Sequence, residues 1–403
     1  MAATENDDAA KERTAHKARR MLTPGLITDE GIADLQERLG AYYQSGPYRL
    51  VVTADDIRAN AVANGDLNPL FNNSEYAAKS RFGSLIAPPT YVDLVKHYTA
   101  TGIGGLPGVH AFHVGNAVEF FAPVRPGDVI GPTYRPWKMS EKAGKFAGKM
   151  VSIDCEIVYR NQRDELVAIA HGEVFRVVRD SARNRGKYAN QKKEPYTLEQ
   201  LERIWKVAQN EEIRGKVPRY WEDVQVGEPL GPIVRGPLRV VEISFRNWAG
   251  GGLLTGAGGM VYGGHFYQFE EYLRRPGLAE VEENTGVMDH PHRGHWEESF
   301  ARKIGVPGVY DIAVQRTAWM TTLMTNWVGD EGWVRSVNSQ FRLFNVEGDT
   351  SWVTGNVTGK RVEGNLHIID IEISCTNQRG EVSTTGSGST ILPARAAGAV
   401  VPG

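Results

Sequence analysis

The pentapeptide Asn161-Gln162-Arg163-Asp164-Glu165 returns in the same chain as Asn377-Gln378-Arg379-Gly380-Glu381. A stretch in which apolar and polar residues alternate precedes each copy, at 151–159 and at 366–374. Such alternation with a period of two, followed by a polar turn, is typical of a β-hairpin. The repeat therefore predicts the same hairpin in each half of the chain.

Three further pairs of segments occur in the same order, at offsets of about 190–225 residues. They are Phe120–Asp128 with Phe341–Asp349, Glu75–Ala77 with Ser299–Ala301 and, more loosely, Val52–Arg58 with Val241–Arg246. Each half is expected to contain a short strand, a loop, a mostly apolar central helix and three or four antiparallel strands. The central helices are predicted at Thr90–Tyr98 and Val314–Trp327. These elements indicate an α+β fold in which a sheet wraps a helix in each half.

The composition excludes several classes of protein. The formal net charge of -2 and the pI of about 6.6 argue against a nucleic-acid binder. No apolar run reaches the roughly 18 residues of a membrane span, and the basic stretch Lys11–Arg20 lacks the apolar segment of a signal peptide. Cys155 and Cys375 lie in alternating stretches typical of core residues. We therefore expect a reduced, cytoplasmic protein without a membrane partner.

These patterns divide the 403 residues into four parts. We predict an N-terminal helical arm (1–40), a first half (41–180), a linker with a helix at Thr197–Gln209 (181–217) and a second half (218–395). The glycine-rich residues 251–264 lack the preceding strand and GxGxxG spacing of a dinucleotide loop, so we predict a mobile loop or lid there.

The first half carries a motif that resembles a known family. Gly65-Asp66-Leu67-Asn68-Pro69-Leu70-Phe71 is followed by Ala77 and then by Phe82-Gly83-Ser84-Leu85-Ile86-Ala87. This is similar to the G-D-x-N-P-x-H, Ala and F-G-x-x-I-A pattern of MaoC-like dehydratases and (R)-specific enoyl-CoA hydratases. The following Pro-Pro-Thr-Tyr looks like the subset with a FAS1-dehydratase-type first half. The resemblance implies a double hot-dog fold, an acyl-CoA thioester substrate, no cofactor and a homodimer.

In that family the Asp and the His of the motif form the catalytic pair. This chain keeps Asp66 but has Phe71 at the His position, and phenylalanine transfers no proton. The resemblance therefore assigns the first half to substrate binding, through Asp66, Asn68, Phe71 and Ala87. Asp66 has a structural alternative, because Asp in such a turn-rich segment often forms an Asx-turn.

The second half has a histidine at the missing position. His295 precedes Ala301 by six residues, as the family's catalytic His precedes its Ala, so we predict that His295 transfers the proton. Its carboxylate partner is left open between Asp289, Asp311 and Glu297, because His290 stands at the position of the family's Asp. Arg316 is predicted either to bind a substrate carboxylate or to pair with Asp311 in the interior.

A histidine-rich metal site is the alternative reading of His290, His292 and His295. The resemblance offers no metal, and no Cys/His pair follows downstream to complete a zinc site, so we predict none.

Hydrating an enoyl thioester requires a base for the water, an acid for the α-carbon and donors for the thioester oxygen. We therefore predict a hydro-lyase acting on acyl-CoA. Two other functions stay open at this point: a non-catalytic acyl-CoA-binding subunit, and a thioesterase or isomerase on the same fold.

Overall fold

The computed structural model describes residues 25–44, 51–99, 106, 109–144, 148–178, 193, 195–249, 280–281, 285–286, 288–289, 291–396, 398 and 400–402. Four segments discussed above lie outside the described residues: the basic stretch 11–20, residues 181–192 and 194 of the linker, the glycine-rich segment 251–264 and His290. The backbone of Asp289 is described, whereas its side chain is not.

Ten strands form one antiparallel sheet whose two sides repeat each other. The strands of the first half are β1 (Tyr43–Gln44), β2 (His110–Phe120), β3 (Ile130–Gly144), β4 (Gly148–Asn161) and β5 (Leu166–Val177). Those of the second half are β6 (Pro229–Arg235), β9 (Trp333–Phe341), β10 (Ser351–Glu363), β11 (Leu366–Asn377) and β12 (Val382–Ile391), and a separate hairpin pairs β7 (Glu280–Val281) with β8 (Met288–Asp289).

The order across the large sheet is β1-β3-β4-β5-β2-β9-β12-β11-β10-β6. Strands β2 and β9 pair antiparallel at its centre, from Gly115 opposite Gln340 to Glu119 opposite Ser336. On either side of this pair the strands follow in matching order. The two halves of the sheet are therefore related by a pseudo-twofold axis, as the sequence repeat predicts.

The helices lie before and between these strands. They are α1 (Asp29–Glu37), α2 (Ala54–Ala63), α3 (Pro69–Asn72), α4 (Ser74–Ala78), α5 (Val92–Val95), α6 (Leu198–Gln209), α7 (Val240–Ala249), α8 (Glu298–Lys303) and α9 (Ala313–Val328), with 3-10 turns at Pro89–Tyr91, Trp221–Asp223 and Pro291–His295. Among the described helices, none combines the length and hydropathy needed to cross a bilayer.

The central helix α9 is enclosed by the second half of the sheet, and every residue from Val314 to Val328 is buried. It lies so close to β12 that only glycine fits beneath it. A Cβ atom at Gly386 would lie 2.1 Å from Cε of Met320, and one at Gly388 would lie 2.5 Å from Sδ of Met324. The helix predicted at 314–327 is confirmed.

The central helix of the first half is shorter than predicted. A 3-10 turn and α5 together end at Val95, because Lys96 adopts an extended conformation with φ of -155°. The chain then lies directly on the sheet: Tyr159 Oη donates to the Lys96 carbonyl (2.5 Å), and a Cβ atom at Gly172 would lie 2.0 Å from the Tyr98 carbonyl oxygen. The prediction of a helix through Tyr98 is therefore wrong beyond Val95.

The two loosely matching segments, 52–58 and 241–246, lie in or at the start of helices α2 and α7. The short strand predicted in each half comes before this helix, as β1 in the first half and β6 in the second. Helix α2 begins with a capping box, in which Thr53 Oγ1 accepts from the Asp56 N–H and the Asp56 carboxylate accepts from the Thr53 N–H. The two segments are thus equivalent, but they are helical.

Hydrogen bonds explain why the Asn-Gln-Arg pentapeptide is repeated. In both copies the Asn side chain accepts two backbone N–H groups of the turn, while the Gln and Arg side chains bind the Asp of a Gly-Asp turn beside it. In the first copy Asn161 accepts from Arg163 and Glu165 (3.0 and 3.1 Å), and Asp128 accepts from Gln162 and Arg163 (both 3.2 Å). In the second copy Asn377 accepts from Arg379 and Glu381 (3.0 and 3.1 Å), and Asp349 accepts from Gln378 and Arg379 (2.8 and 2.7 Å).

Candidate active site

Phe71 and His295 occupy equivalent places in the two halves. Each lies in a short helical turn that is followed by a helix carrying the buried alanine of the motif. Matching backbone hydrogen bonds surround them: Asn73 N to Pro69 O (2.9 Å) with Glu297 N to Arg293 O (2.7 Å), and Ala87 N to Val124 O (2.9 Å) with Asp311 N to Asn345 O (3.0 Å). The position of the family's catalytic histidine is thus Phe71 in one half and His295 in the other.

The imidazole of His295 is held in one orientation. Its Nδ1 lies 2.8 Å from the carbonyl oxygen of Tyr310, and its ring lies 4.1 Å from the Tyr310 ring. A carbonyl can only accept, so in the neutral ring Nδ1 carries the proton and Nε2 carries the lone pair. No described residue forms a hydrogen bond with Nε2 of His295. This is the tautomer that a general base requires.

The surroundings keep His295 neutral. Burial lowers the pKa of His295 to about 4, although the bond to the Tyr310 carbonyl and the negative charge of Asp311 act in the opposite direction. When His97 is protonated, its positive charge lowers the pKa of His295 further. At neutral pH the ring is therefore an unprotonated base.

Asp311 and Arg316 form a closed ion pair beside this histidine. Nη2 and Nε of Arg316 each lie 2.6 Å from a carboxylate oxygen of Asp311, and both side chains are almost fully buried. Nη1 of Arg316 donates to the carbonyl of Leu343 (2.7 Å). This geometry favours the structural alternative for Arg316 over contact with a substrate carboxylate. Asp311 acts on His295 through its charge, without a hydrogen bond between them.

The other candidate partners of His295 are placed as follows. Glu297 accepts from the hydroxyl of Ser299 (2.8 Å), and its carboxylate lies 3.7 Å from Nε of the buried Arg293. Asp289 pairs through its backbone with Glu280. The ring of His292 lies 4.9 Å from that of His295, yet the described residues contain no group of three side chains that could hold a metal ion.

The substrate-binding residues predicted in the first half line an apolar pocket or lie directly beside it. Asn68, Phe71 and Ala87 line it. Apolar side chains from both halves complete the wall, among them Phe82, Phe120, Val124, Val328 and Trp333. At the position equivalent to His295, the first half thus has Phe71 in an apolar pocket instead of a basic side chain.

Asp66 lies at a smaller space next to this pocket, and both share Pro88 and Pro89. Its Oδ1 accepts from the Asn68 N–H (3.0 Å), which is the Asx-turn considered above, and its Oδ2 accepts from the hydroxyl of Thr322 on α9 (3.0 Å). Burial raises the pKa of Asp66 to about 6, although the bond from Asn68 opposes the rise.

The two sets of predicted residues lie at opposite ends of α9. Arg316 and Asp311 are near its first turn, whereas the apolar pocket reaches Thr325 and Val328 in its last turn. From Arg316 to Val328 the helix rises about 18 Å. The structure therefore brings His295, Asp311 and Arg316 together at one end, and Asn68, Phe71 and Ala87 at the other. Asp66 lies between the two sets, because it bonds Thr322 and borders a space lined by Ala318 in the middle of the helix.

Two histidines near His295 were not predicted from the sequence. His97 and His113 belong to the first half, and their rings meet edge to face at 5.4 Å. His113 also contacts Phe341 of β9 (5.1 Å), above which the Arg316 guanidinium lies (5.6 Å). His97 fell inside the helix predicted through Tyr98, so no sequence signal separated it from the core.

The comparisons with known proteins agree with the motif in the first half. Residues 39–170 match the family model of the FAS1-like dehydratase domain region. An 80-residue part of the chain is 32% identical to a 3-hydroxybutyryl-CoA dehydratase of Methylorubrum extorquens. This match covers 20% of the chain and about half, 49%, of that relative.

Solved structures share the fold over almost the entire chain. A MaoC-like dehydratase aligns with a TM-score of 0.62 at 16% identity, covering 89% of this chain and 100% of the other. A MaoC domain protein dehydratase of Chloroflexus aurantiacus aligns with a TM-score of 0.56 at 16% identity, covering 89% and 96%. A Mycobacterium tuberculosis protein described as having a double hotdog fold aligns with a TM-score of 0.51 at 11% identity, covering 88% and 96%.

The family resemblance predicted from the motif is confirmed, because residues 39–170 of the first half match a FAS1-like dehydratase region. The predicted α+β double hot-dog class is also confirmed: the chain has the double hot-dog fold of the MaoC-like dehydratases.

Proposed function

We propose that this protein is an acyl-CoA hydro-lyase that adds water to, or removes it from, the 2,3-bond of an enoyl thioester, with one active site in the second half. The observation that carries the proposal is the fixed tautomer of His295, whose Nε2 is unprotonated at the position equivalent to Phe71. The similarity to a 3-hydroxybutyryl-CoA dehydratase supports a CoA thioester as the substrate.

In the hydration direction, Nε2 of His295 takes a proton from water while the water oxygen forms a bond to C3. The π electrons of the C2–C3 double bond move towards the thioester, and negative charge develops on its oxygen. The imidazolium then delivers the proton to C2, so that one O–H bond of water and the C2–C3 π bond are exchanged for a C–O and a C–H bond. Dehydration follows the same steps in reverse.

The surrounding residues fit this cycle. The charge of Asp311 stabilises the imidazolium while it holds the proton, and Arg316 keeps that carboxylate in place. Ile312, the residue before α9, supplies no side-chain cap, and the Gln315 N–H donates to the Ile312 carbonyl (2.8 Å), so we assign the N–H groups of Ala313 and Val314 to an oxyanion. Asp289 stays a second proposed partner of His295, which Asp289→Asn tests.

We assign Asp66, Asn68, Phe71 and Ala87 to binding of the acyl group rather than to proton transfer. With Phe71 in place of a base, the apolar pocket favours binding without turnover in the first half. The same observation supports the second candidate function, an acyl-CoA-binding subunit that catalyses nothing. From the family resemblance we also propose that two chains form a homodimer.

The test is turnover of short, branched and ring-bearing enoyl-CoA thioesters, followed by loss of the conjugated-thioester absorbance. We expect His295→Gln to lower kcat by roughly 100- to 10,000-fold, because a positioned acid–base group contributes about that much. In the wild type, kcat/KM should fall on the acid side near pH 4, where His295 becomes protonated, rather than near pH 6.5.

Arg342→Gln serves as a control, because this side chain is exposed and its hydrogen bonds to described residues go to Gln340 and Thr385 on the sheet. Free thiol is measured in the same assays, since a thioesterase releases CoA and a hydro-lyase does not. Release of thiol, or full activity of His295→Gln, would contradict the proposal. Binding of acyl-CoA without any turnover would favour the non-catalytic function.

A further inference from the structure

The first half places two histidines beside the candidate site of the second half. Three ring contacts link them to the site: His97 with His113 (5.4 Å), His113 with Phe341 (5.1 Å), and the Arg316 guanidinium above Phe341 (5.6 Å). Arg316 holds Asp311, and the preceding carbonyl, that of Tyr310, holds His295. The pairing of β2 with β9 brings these groups together across the two halves.

Hydrogen bonds define which nitrogen of each ring carries the proton. Nδ1 of His97 accepts from the Thr99 N–H (3.3 Å) and lies 2.9 Å from the Thr99 hydroxyl, so its proton is on Nε2. Nε2 of His113 lies 3.0 Å from the Gly115 carbonyl and therefore donates to it. Nδ1 of His113 is then a buried acceptor, and no described residue pairs with it.

Both rings are neutral at physiological pH. Burial lowers the pKa of His97 and lowers that of His113 well below its ordinary value. A neutral imidazole donates a hydrogen bond without bringing a charge, and it suits an oxyanion that forms only during the reaction. His97 also lies near enough to His295 that a proton on the His97 ring lowers the pKa of His295.

The local fold places His97 there. Helix α5 ends at Val95, and the extended Lys96 turns the chain onto the sheet. In the second half, α9 has no such early end: it continues to Val328, and its residues from Val314 onward are buried. The shortened helix of the first half therefore makes room for His97 next to the other half's site.

We propose that the first half completes the active site of the second half: His97 donates its Nε2–H to the carbonyl oxygen of the bound thioester, and His113 positions the His97 ring. This inference rests on the proposed function for the reaction, but the contact with the thioester oxygen requires only that acyl-CoA binds. The oxygen then accepts two hydrogen bonds, one from His97 and one from the start of α9.

Two substitutions at His97 separate donation from packing. His97→Phe keeps a flat ring but removes the donor, and His97→Gln keeps an N–H group. We expect His97→Phe to lower kcat by roughly 100- to 1,000-fold with KM nearly unchanged, since the lost bond is strongest in the transition state. His97→Gln should recover part of that loss. The same two substitutions at His171, a surface histidine of β5, serve as controls and should leave kcat unchanged.

A spectroscopic measurement reports the contact without turnover. Saturated butyryl-CoA labelled with ¹³C at the carbonyl is bound to each variant, and the carbonyl stretch is read by isotope-edited infrared difference spectroscopy. We expect the band of the wild type to lie below its frequency in His97→Phe, with His97→Gln between them. Thermal unfolding of each variant checks that the fold is intact.

The outcomes distinguish the two proposals. Hydration by the wild type together with wild-type kcat in His97→Phe would overturn the role of His97 and leave the proposed function standing. No hydration, but a carbonyl band that shifts in His97→Phe, would overturn the proposed function and support the contact. A band that is the same in all variants would overturn the contact, and failure of the wild type to bind any acyl-CoA would overturn both.

Discussion

The buried carboxyl group of Asp66 lies at a contact between the two halves and makes the stability of the protein depend on pH. It belongs to the motif of the first half, yet its Oδ2 accepts from Thr322 in the central helix of the second half. Burial raises its pKa to about 6, so the folded protein binds a proton at Asp66 more tightly than the unfolded chain does. Ionisation of Asp66 therefore lowers the free energy of unfolding above pH 6, and this loss shrinks as the pH falls from 6 towards 4.

Asp66→Asn should consequently stabilise the protein at alkaline pH. The amide keeps an acceptor for the Asn68 N–H and offers a donor to Thr322. We expect the free energy of unfolding of the variant to exceed that of the wild type by up to about 3 kcal/mol at pH 8, because folding raises the pKa of Asp66 by roughly two pH units. The difference should shrink between pH 6 and pH 4, where wild-type Asp66 becomes protonated. Urea unfolding at pH 8, 6.5 and 5 measures it, and a difference that does not vary with pH would contradict the argument.

Single residues also show how far sequence alone could lead to the site. His295 was predicted because its distance to Ala301 is a local property of the chain, and the backbone hydrogen bonds put it at the equivalent of Phe71. His97 was missed because its importance depends on where α5 ends and on which strand lies opposite. Both depend on contacts such as that of Tyr98 with Gly172, between residues far apart in the sequence.

At the scale of elements, the close approach of α9 to β12 sets a steric limit. A Cβ atom at Gly386 would lie 2.1 Å from Cε of Met320 and 2.3 Å from the backbone oxygen of Asn338. The methionine can move, but the backbone of β9 cannot without disturbing the sheet. The glycine is therefore required by packing rather than by a turn.

Gly386→Ala should destabilise the protein by about 1–3 kcal/mol, the usual cost of overpacking a core. Gly131→Ala in β3 is the matched control, because its new Cβ would meet nothing closer than the Arg160 carbonyl at 3.9 Å. We expect the control to unfold at the wild-type denaturant midpoint or slightly above it. Equal midpoints for the two variants in guanidinium unfolding would contradict the prediction, because they would show that the sheet shifts to accommodate the added methyl group at position 386.

The predicted hairpins are confirmed because their alternation and their turns are local, as the matching bonds of Asn161 and Asn377 show. The helix at 54–63 was not predicted, because 52–58 was identified only as one member of a loose repeat, although Thr53 and Asp56 carry a capping-box pattern that could have identified it. The early end of α5 had no such signal, since Tyr159 and Gly172, which hold the chain beyond it, are remote in sequence.

For the molecule as a whole, a buried ion pair connects the two halves in addition to the pairing of β2 with β9. Asp93 of α5 accepts from Nη2 of Arg246 on α7 (3.0 Å), and both side chains are almost completely buried. Nε of Arg246 donates to the side chain of Asn64 (2.9 Å). The first half thus holds a cation of the second half in its interior.

Asp93→Ala should destabilise the protein by about 3–5 kcal/mol, because it leaves the Arg246 charge buried without its partner. The double variant with Arg246→Met removes that charge, and we expect it to lose less stability than the sum of the single variants. The exposed pair Arg239–Glu242 is the control, for which a cycle of the same kind should give less than about 1 kcal/mol. Additive losses at Asp93 and Arg246 would argue against direct coupling.

The equivalence of Phe71 and His295 has a consequence for how such a chain changes over generations. Once a gene for one unit has doubled and fused, either copy can lose its base while the other still performs the chemistry. The turns built on Asp128 and Asp349 must both persist, because each supports its own part of the common sheet. Resemblance between the copies is therefore retained in the scaffold and lost at the reacting position. Under the proposed function, Phe71 marks the same position without the base, in the other half of the same molecule.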